Sequence, residues 1–316
     1  MKKFTGLLIA ALFVLSVVPV LAQEATSAVP ATPEATEANS EMTAMFNYDQ
    51  TKPLDVKETA SEKRGDVTVK TISYSSPVTA KPIGAYLVVP AGDGPFSAVE
   101  YVHWYDPSQP NSNKTEFLDE AVMMAQKYSV ESILVDTMWS DPDWYDKGRT
   151  LASDYDDAIR QVIELRHGLD VLLAQPNVDA SRVAYVGHDF GAMYGALLSG
   201  VDHRARAYVF IAGASDFNNW MLFGVDDNTP GLAAYKAKME TIAPTVYVAL
   251  TTPSAIYFQD GTQDNYTPQS DVDAFLAAAN EPKDIKMYKS DHAMASDTIR
   301  TDRINFLVDH LDLQAK

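Results

Sequence analysis

The sequence predicts an α/β domain with a mostly parallel sheet and helices on both faces. Three observations predict it. Short apolar runs alternate with amphipathic helical patterns from Val67 to the C-terminus. Runs such as AYVFIAG and SAIYFQDG have no polar alternation, as expected of strands covered on both faces. Once the ends are trimmed, roughly 270 residues without an internal repeat remain, an ordinary size for one α/β domain.

The first element is a leader. Lys2 and Lys3 precede an uncharged apolar run over residues 7–21, and Val20 and Ala22 suit the small-residue positions before a cleavage site. Residues 1–22 are therefore expected to be a secretory signal peptide. The run is shorter than the roughly 20 residues of a spanning helix, which favours export over a retained anchor. Residues 23–45 are rich in Ala, Thr, Pro and Glu; with Pro30 and Pro33 and no periodic apolar face, they read as a disordered linker. The folded domain is expected over residues 46–316.

Within it, DVTVKTISYS and IGAYLVVP predict an opening antiparallel pair, because the first alternates polar with apolar residues and both are short. SAVEYVHWYDP predicts a more apolar strand. KTEFLDEAVMMAQKYSV predicts a helix with Phe117, Leu118, Val122 and Ala125 on one face. SILVDT, RVAYVG, AYVFIAG, SAIYFQDG and DIKMYK predict the remaining strands. Helices are expected over residues 153–173 and 192–198, in SDVDAFLAAA and in DTIRTDRINFLVDHL. Residues 215–252 break the rhythm with helical fragments and turns. The apolar cluster Trp220, Met221, Leu222 and Phe223 favours a small cap there over a plain long crossover.

Composition limits the function. The net charge is −18, and loss of the two leader lysines would make the exported chain more acidic still. Acid spread along the chain repels phosphate backbones and anionic lipid heads, so neither nucleic acid nor, after signal cleavage, a membrane is an expected partner. The absence of cysteine excludes lipoprotein attachment, disulfides, thiolate metal sites and a cysteine nucleophile. No H-E-x-x-H or His-x-His spacing occurs, and neither metal nor cofactor is expected.

The segment RVAYVGHDFGAMYGALLSG carries the chemistry: an apolar strand, a turn flanked by Gly187 and Gly191, and a small-residue helix, with Asp189 at the apex. A sharp strand-to-helix bend lifts its apex side chain out of the sheet, and the flanking glycines avoid collisions there. Downstream, FQDGTQDNYTP places Asp264 after a strand and turn, with Asp260 and Asp216 as rival acids. YKSDHAM places His292 in the loop after the last strand. Nucleophile, acid and histidine in that order form a candidate catalytic triad. Of the six histidines, His167 and His310 fall on helices, His203 in a loop, and His188 beside the bend. An oxyanion hole would take one backbone N–H from Phe190 and another from Trp104 or Tyr105. His103, Tyr194, Trp220 and Tyr266 are the candidate substrate contacts.

These features resemble the α/β-hydrolase superfamily from about Val67 to Leu311. The layout is similar to the dienelactone hydrolase-like branch, although dienelactone hydrolase itself works with a cysteine that this chain lacks. The GHDFG motif is similar to haloalkane dehalogenases and epoxide hydrolases, which have a Trp where this chain has Phe190. The resemblance implies a hydrolase of a small neutral or apolar molecule. The paired lid tyrosines of epoxide hydrolases have no clear counterpart; the candidates are Tyr235, Tyr247, Tyr194 and Tyr105.

Carboxylate attack on an ester carbonyl would form an anhydride and expel an alkoxide, which is uphill. Attack on a saturated carbon gives an ordinary ester. Two schemes follow: an alkyl-enzyme on Asp189 whose ester is hydrolysed by water that His292 activates while Asp264 fixes the imidazole, or Asp189 as a general base delivering water directly. A non-catalytic binding or scaffold protein with a degenerate hydrolase site is the competing expectation.

Overall fold

The central strands have no polar face because each is covered on both sides. The computed structural model describes residues 40–316; the leader, and the linker as far as residue 39, lie outside the described residues. Among the described residues there are nine strands, β1 (Lys57–Arg64), β2 (Val67–Ser75), β3 (Pro82–Val89), β4 (Phe96–Val102), β5 (Val130–Val135), β6 (Val178–His188), β7 (Ala207–Ile211), β8 (Ala255–Gly261) and β9 (Lys283–Tyr288). They form one sheet in the order β1-β2-β3-β5-β4-β6-β7-β8-β9. Pairing is antiparallel from β1 through β2 and β3 to β5, and parallel from there on. Every residue of β4, β5, β7 and β8 is buried.

Helices α1 (Leu118–Tyr128) and α8 (Asp297–His310) cover one face. The other carries α2 (Asp154–Leu173) and α3 (Phe190–Val201), then, from the later part of the chain, α6 (Pro244–Val248) and α7 (Gln269–Ala278). Between them the insertion also forms α4 (Asn218–Met221) and α5 (Leu232–Glu240). The insertion has two parts. In α6, Tyr247 and Val248 are fully buried core residues, whereas α4 and α5 lie over the start of α2. There the half-buried Arg149 pairs with Asp154 at 3.0 and 2.5 Å and also donates to the Met221 carbonyl at 2.7 Å. The Tyr235 hydroxyl donates to the same carboxylate at 2.8 Å.

Two elements differ from the sequence reading. β1, with the sequence KETASEKR, is an edge strand whose side chains are almost all exposed, so it has no apolar periodicity to detect. Its charge also blunts an edge that would otherwise pair with other chains. The folded body begins before residue 46: residues 41–44 are helical, Met42 and Met45 pack on the core, and Phe46 is buried against Tyr247 at 5.4 Å. Three apolar residues at positions i, i+3 and i+4 anchor what the composition reads as the end of the linker. Among the described residues no helix is long and apolar enough to cross a membrane.

Candidate active site

β6 ends at His188 and α3 begins at Phe190, so Asp189 alone makes the bend, with φ 56° and ψ −116°. Such a backbone costs about 1–3 kcal/mol and persists only where its surroundings enforce it. Here the Asp189 amide donates to the Ile211 carbonyl at 2.9 Å, and its own carbonyl accepts from Met193 at 3.0 Å. The glycines answer to contacts: a Cβ on Gly187 would run into the Gly191 carbonyl, and one on Gly191 into the Val102 carbonyl. The bend therefore presses directly on the end of β4.

The two oxygens of Asp189 have different neighbours. Oδ2 accepts the Tyr105 backbone N–H at 3.0 Å. Oδ1 is buried without a hydrogen bond and lies 3.8 Å from His292 Nε2. On the other side of the imidazole, Nδ1 is 2.7 Å from Asp264 Oδ2, while Asp264 Oδ1 accepts the Tyr266 and Thr267 amides at 2.7 and 3.1 Å. Asp264 thus has its hydrogen bonds arranged before it meets His292. Burial would lower the affinity of His292 for a proton, but the Asp189 and Asp264 carboxylates outweigh it and push the imidazole up from 6.5 to about 9. Burial raises Asp264, yet His292 and the two amides hold it below its usual range. At neutral pH the imidazole therefore carries both of its protons, between the Asp189 and Asp264 side chains.

The structure thus brings Asp189, Asp264 and His292 together. Of the rival acids, Asp260 is sealed in the sheet, where burial and the neighbouring Asp264 push its carboxyl up to about 7. Asp216 caps the start of α4 through the amides of Asn218 and Asn219. Around His292 stand Trp220 at 5.3 Å, Tyr266 at 5.2 Å and Trp104 at 5.8 Å between ring centres. Asp189 and His292 are only 1 % and 4 % exposed, whereas Tyr266 is 70 % exposed. Aromatic rings cover the triad.

Three expectations need correction. The Trp104 amide is not an oxyanion donor, since it donates to Glu116 Oε2 at 3.0 Å; the amide in that loop that points at the site is Tyr105. The Phe190 amide lies in the first turn of α3, where no intrahelical acceptor exists. His103 does not face substrate: it is buried, with Nδ1 at 2.7 Å from the Trp104 carbonyl and Nε2 at 2.9 and 3.1 Å from Ser140 and Thr137. Tyr194 is fully buried and packs on Trp139 and Phe217 at 5.1 and 4.9 Å. It points into the core because it lies on the inner side of α3, one turn beyond the bend.

The candidate acid tyrosines are likewise engaged elsewhere. Tyr235 bonds Asp154, Tyr105 donates to the Pro142 carbonyl at 2.8 Å, and Tyr247 donates to the Met42 carbonyl at 3.3 Å. Sequence reasoning missed Tyr145, whose hydroxyl holds the Trp220 carbonyl, and Glu116, which holds the loop after β4. Neither has a motif around it. Tyr145 lies in an irregular stretch after β5 whose aromatic density, WSDPDWY, was the available signal.

This arrangement is the α/β-hydrolase fold, in a layout like that of the dienelactone hydrolase branch. No family model and no curated protein matches the sequence. Solved structures do match. An acetyl xylan esterase from Paenibacillus sp. R4 is 15 % identical, with a TM-score of 0.69 over 90 % of this chain and 96 % of that one. Acetyl xylan esterase 1 from Thermoanaerobacterium sp. JW/SL YS485 is 16 % identical, with a TM-score of 0.68 over 86 % and 93 %. A protein described as a dienelactone hydrolase, from Klebsiella pneumoniae subsp. pneumoniae MGH 78578, is 18 % identical, with a TM-score of 0.54 over 77 % and 98 %.

Proposed function

We propose that the protein is a hydrolase of a small neutral or apolar substrate, acting through Asp189, His292 and Asp264 by an alkyl-enzyme ester. One observation carries this reading: Asp189 Oδ2 is held by a backbone amide at 3.0 Å, and the bare Oδ1 lies 3.8 Å from an imidazole that Asp264 orients at 2.7 Å. Esterases and other hydrolases among the structural neighbours support the general class.

In the first step Oδ1 bonds to the substrate carbon as the leaving group departs with its electron pair. Asp189 becomes a neutral ester, so His292 loses one of the two anions that hold its proton and gives that proton up to solvent as the leaving-group anion departs. His292 then takes a proton from water, and the hydroxide adds to Cγ. Negative charge gathers on Oδ2 at the Tyr105 amide. Collapse breaks the Cγ–Oδ1 bond, the alkoxide takes the proton from His292, the Asp189 carboxylic acid returns its proton to the imidazole, and one oxygen from water remains on Asp189. With Tyr235, Tyr105 and Tyr247 engaged elsewhere, substrates with good leaving groups suit the site better than epoxides that need a tyrosine acid.

The test is turnover of a panel of esters, lactones, epoxides and haloalkanes by wild type and His292→Ala. The proposal expects one class to turn over and the variant to lose it; equal background rates throughout would reject it. The low exposure of Asp189 and His292 favours a second reading, a non-catalytic scaffold, under which nothing in the panel turns over. Export through the leader is also proposed, and N-terminal sequencing of the mature protein tests it.

A further inference from the structure

Directly behind the triad is a second histidine–carboxylate pair that the proposed reaction does not use. His188, the residue before Asp189, is buried with both ring nitrogens engaged. Nδ1 lies 2.6 Å from Glu116 Oε1, and Nε2 lies 2.9 Å from the His292 backbone carbonyl. The other oxygen of Glu116 accepts the Trp104 amide at 3.0 Å. The Trp104 ring lies flat on the His188 imidazole, with ring centres 5.2 Å apart and 4° between planes.

Counting protons decides the state of this pair. A carbonyl oxygen can only accept, so Nε2 carries a hydrogen. A neutral imidazole would then turn a bare Nδ1 lone pair toward Glu116 at 2.6 Å, so a second proton must lie between them. It belongs to the imidazole, ordinarily the more basic of the two groups, and leaves Glu116 a carboxylate that accepts from His188 through one oxygen and from the Trp104 amide through the other.

We propose that His188 is a buried imidazolium paired with Glu116, and that the pair positions the catalytic groups. Through Glu116 it fixes the loop that presents the Tyr105 amide to Asp189. Through Nε2 it fixes the backbone of His292. The charged and titratable groups around it are Glu116 and His103 from the β4–α1 side, Asp189 from its own turn, His292 from the loop after β9, and Arg303 with Glu120 from α8 and α1. A cavity of 340 Å³ lies beside the pair, lined by Trp104, Glu116, His188, Met294 and Arg300. The charge state stands independently of the reaction; the positioning role rests on the hydrolase reading.

The experiment is nitrogen-15 NMR of the full chain with labelled histidine near neutral pH, His188 being assigned by its loss in His188→Asn. The expected result is protons on both ring nitrogens of His188. Glu116→Gln keeps the acceptor for Trp104 and offers an amide N–H to Nδ1, so there His188 should become neutral with the fold intact. A singly protonated His188 in wild type would overturn the charge assignment. For the positioning role, Glu116→Ala should lower kcat by about a hundredfold, as expected of a misplaced reacting group, and Glu116→Gln should restore most of it. Unchanged kcat in Glu116→Ala overturns that role. Absence of turnover in wild type would count against the hydrolase reading and, with it, the positioning role, while the NMR result still decides the charge.

Discussion

At Asp189 the division of labour between two oxygens follows from their surroundings: Tyr105 holds one, and His292 faces the other. The same proximity sets the titration of His292. Replacing Asp189 by Asn keeps the shape and removes one anion, so the imidazole should titrate well below its wild-type value of about 9, as followed by NMR. Because the folded value exceeds the unfolded 6.5, His292 adds stability that is fully present below pH 6.5 and is lost as pH rises through about 9. Denaturation curves of wild type should show that loss over this window, and those of His292→Gln should not. Asp189, Asp264 and His292 were legible because each follows a strand at a turn with its own glycine or polar signal. His103 and Tyr194 were misread because sequence does not reveal which way a side chain turns at a strand end or on a helix. Glu116 was invisible because only the third dimension brings it to His188.

The bend is an element whose glycines have named neighbours. Gly187→Ala would drive a Cβ into the Gly191 carbonyl, and a backbone clash at a strained turn should cost about 4 kcal/mol or prevent folding, measurable by chemical denaturation. The insertion depends on a different contact. Arg149→Leu would leave Asp154 buried without its cation and release the Met221 carbonyl, a loss of roughly 3–5 kcal/mol. Limited proteolysis should then cut first within α4 and α5. The parallel strands and most helices were legible from apolar runs and amphipathic spacing. β1 was not, because an exposed edge strand buries neither face, and the aromatic turns over residues 138–148 have no repeating pattern at all.

Across the whole molecule, stability and activity make different demands on buried acid. Glu100, in the middle of the sheet on β4, is fully buried with neither carboxyl oxygen hydrogen-bonded, and burial pushes its carboxyl well above 4.5. The unfolded chain loses this proton near pH 4.5 while the folded one keeps it, so folding is progressively disfavoured as pH rises above that point. Glu100→Gln should therefore melt higher than wild type at pH 7, with the gap shrinking toward pH 4. Asp264, by contrast, faces the His292 imidazole, which holds its carboxyl below the usual range. The claim on which this account turns is that Asp189 bonds covalently to substrate. The most direct measurement is repeated turnover in water enriched in heavy oxygen, followed by mass spectrometry of the peptide that contains Asp189. A covalent ester on Asp189 leaves heavy oxygen in the Asp189 carboxylate; label in the product alone, with none in that peptide, would rule the ester out.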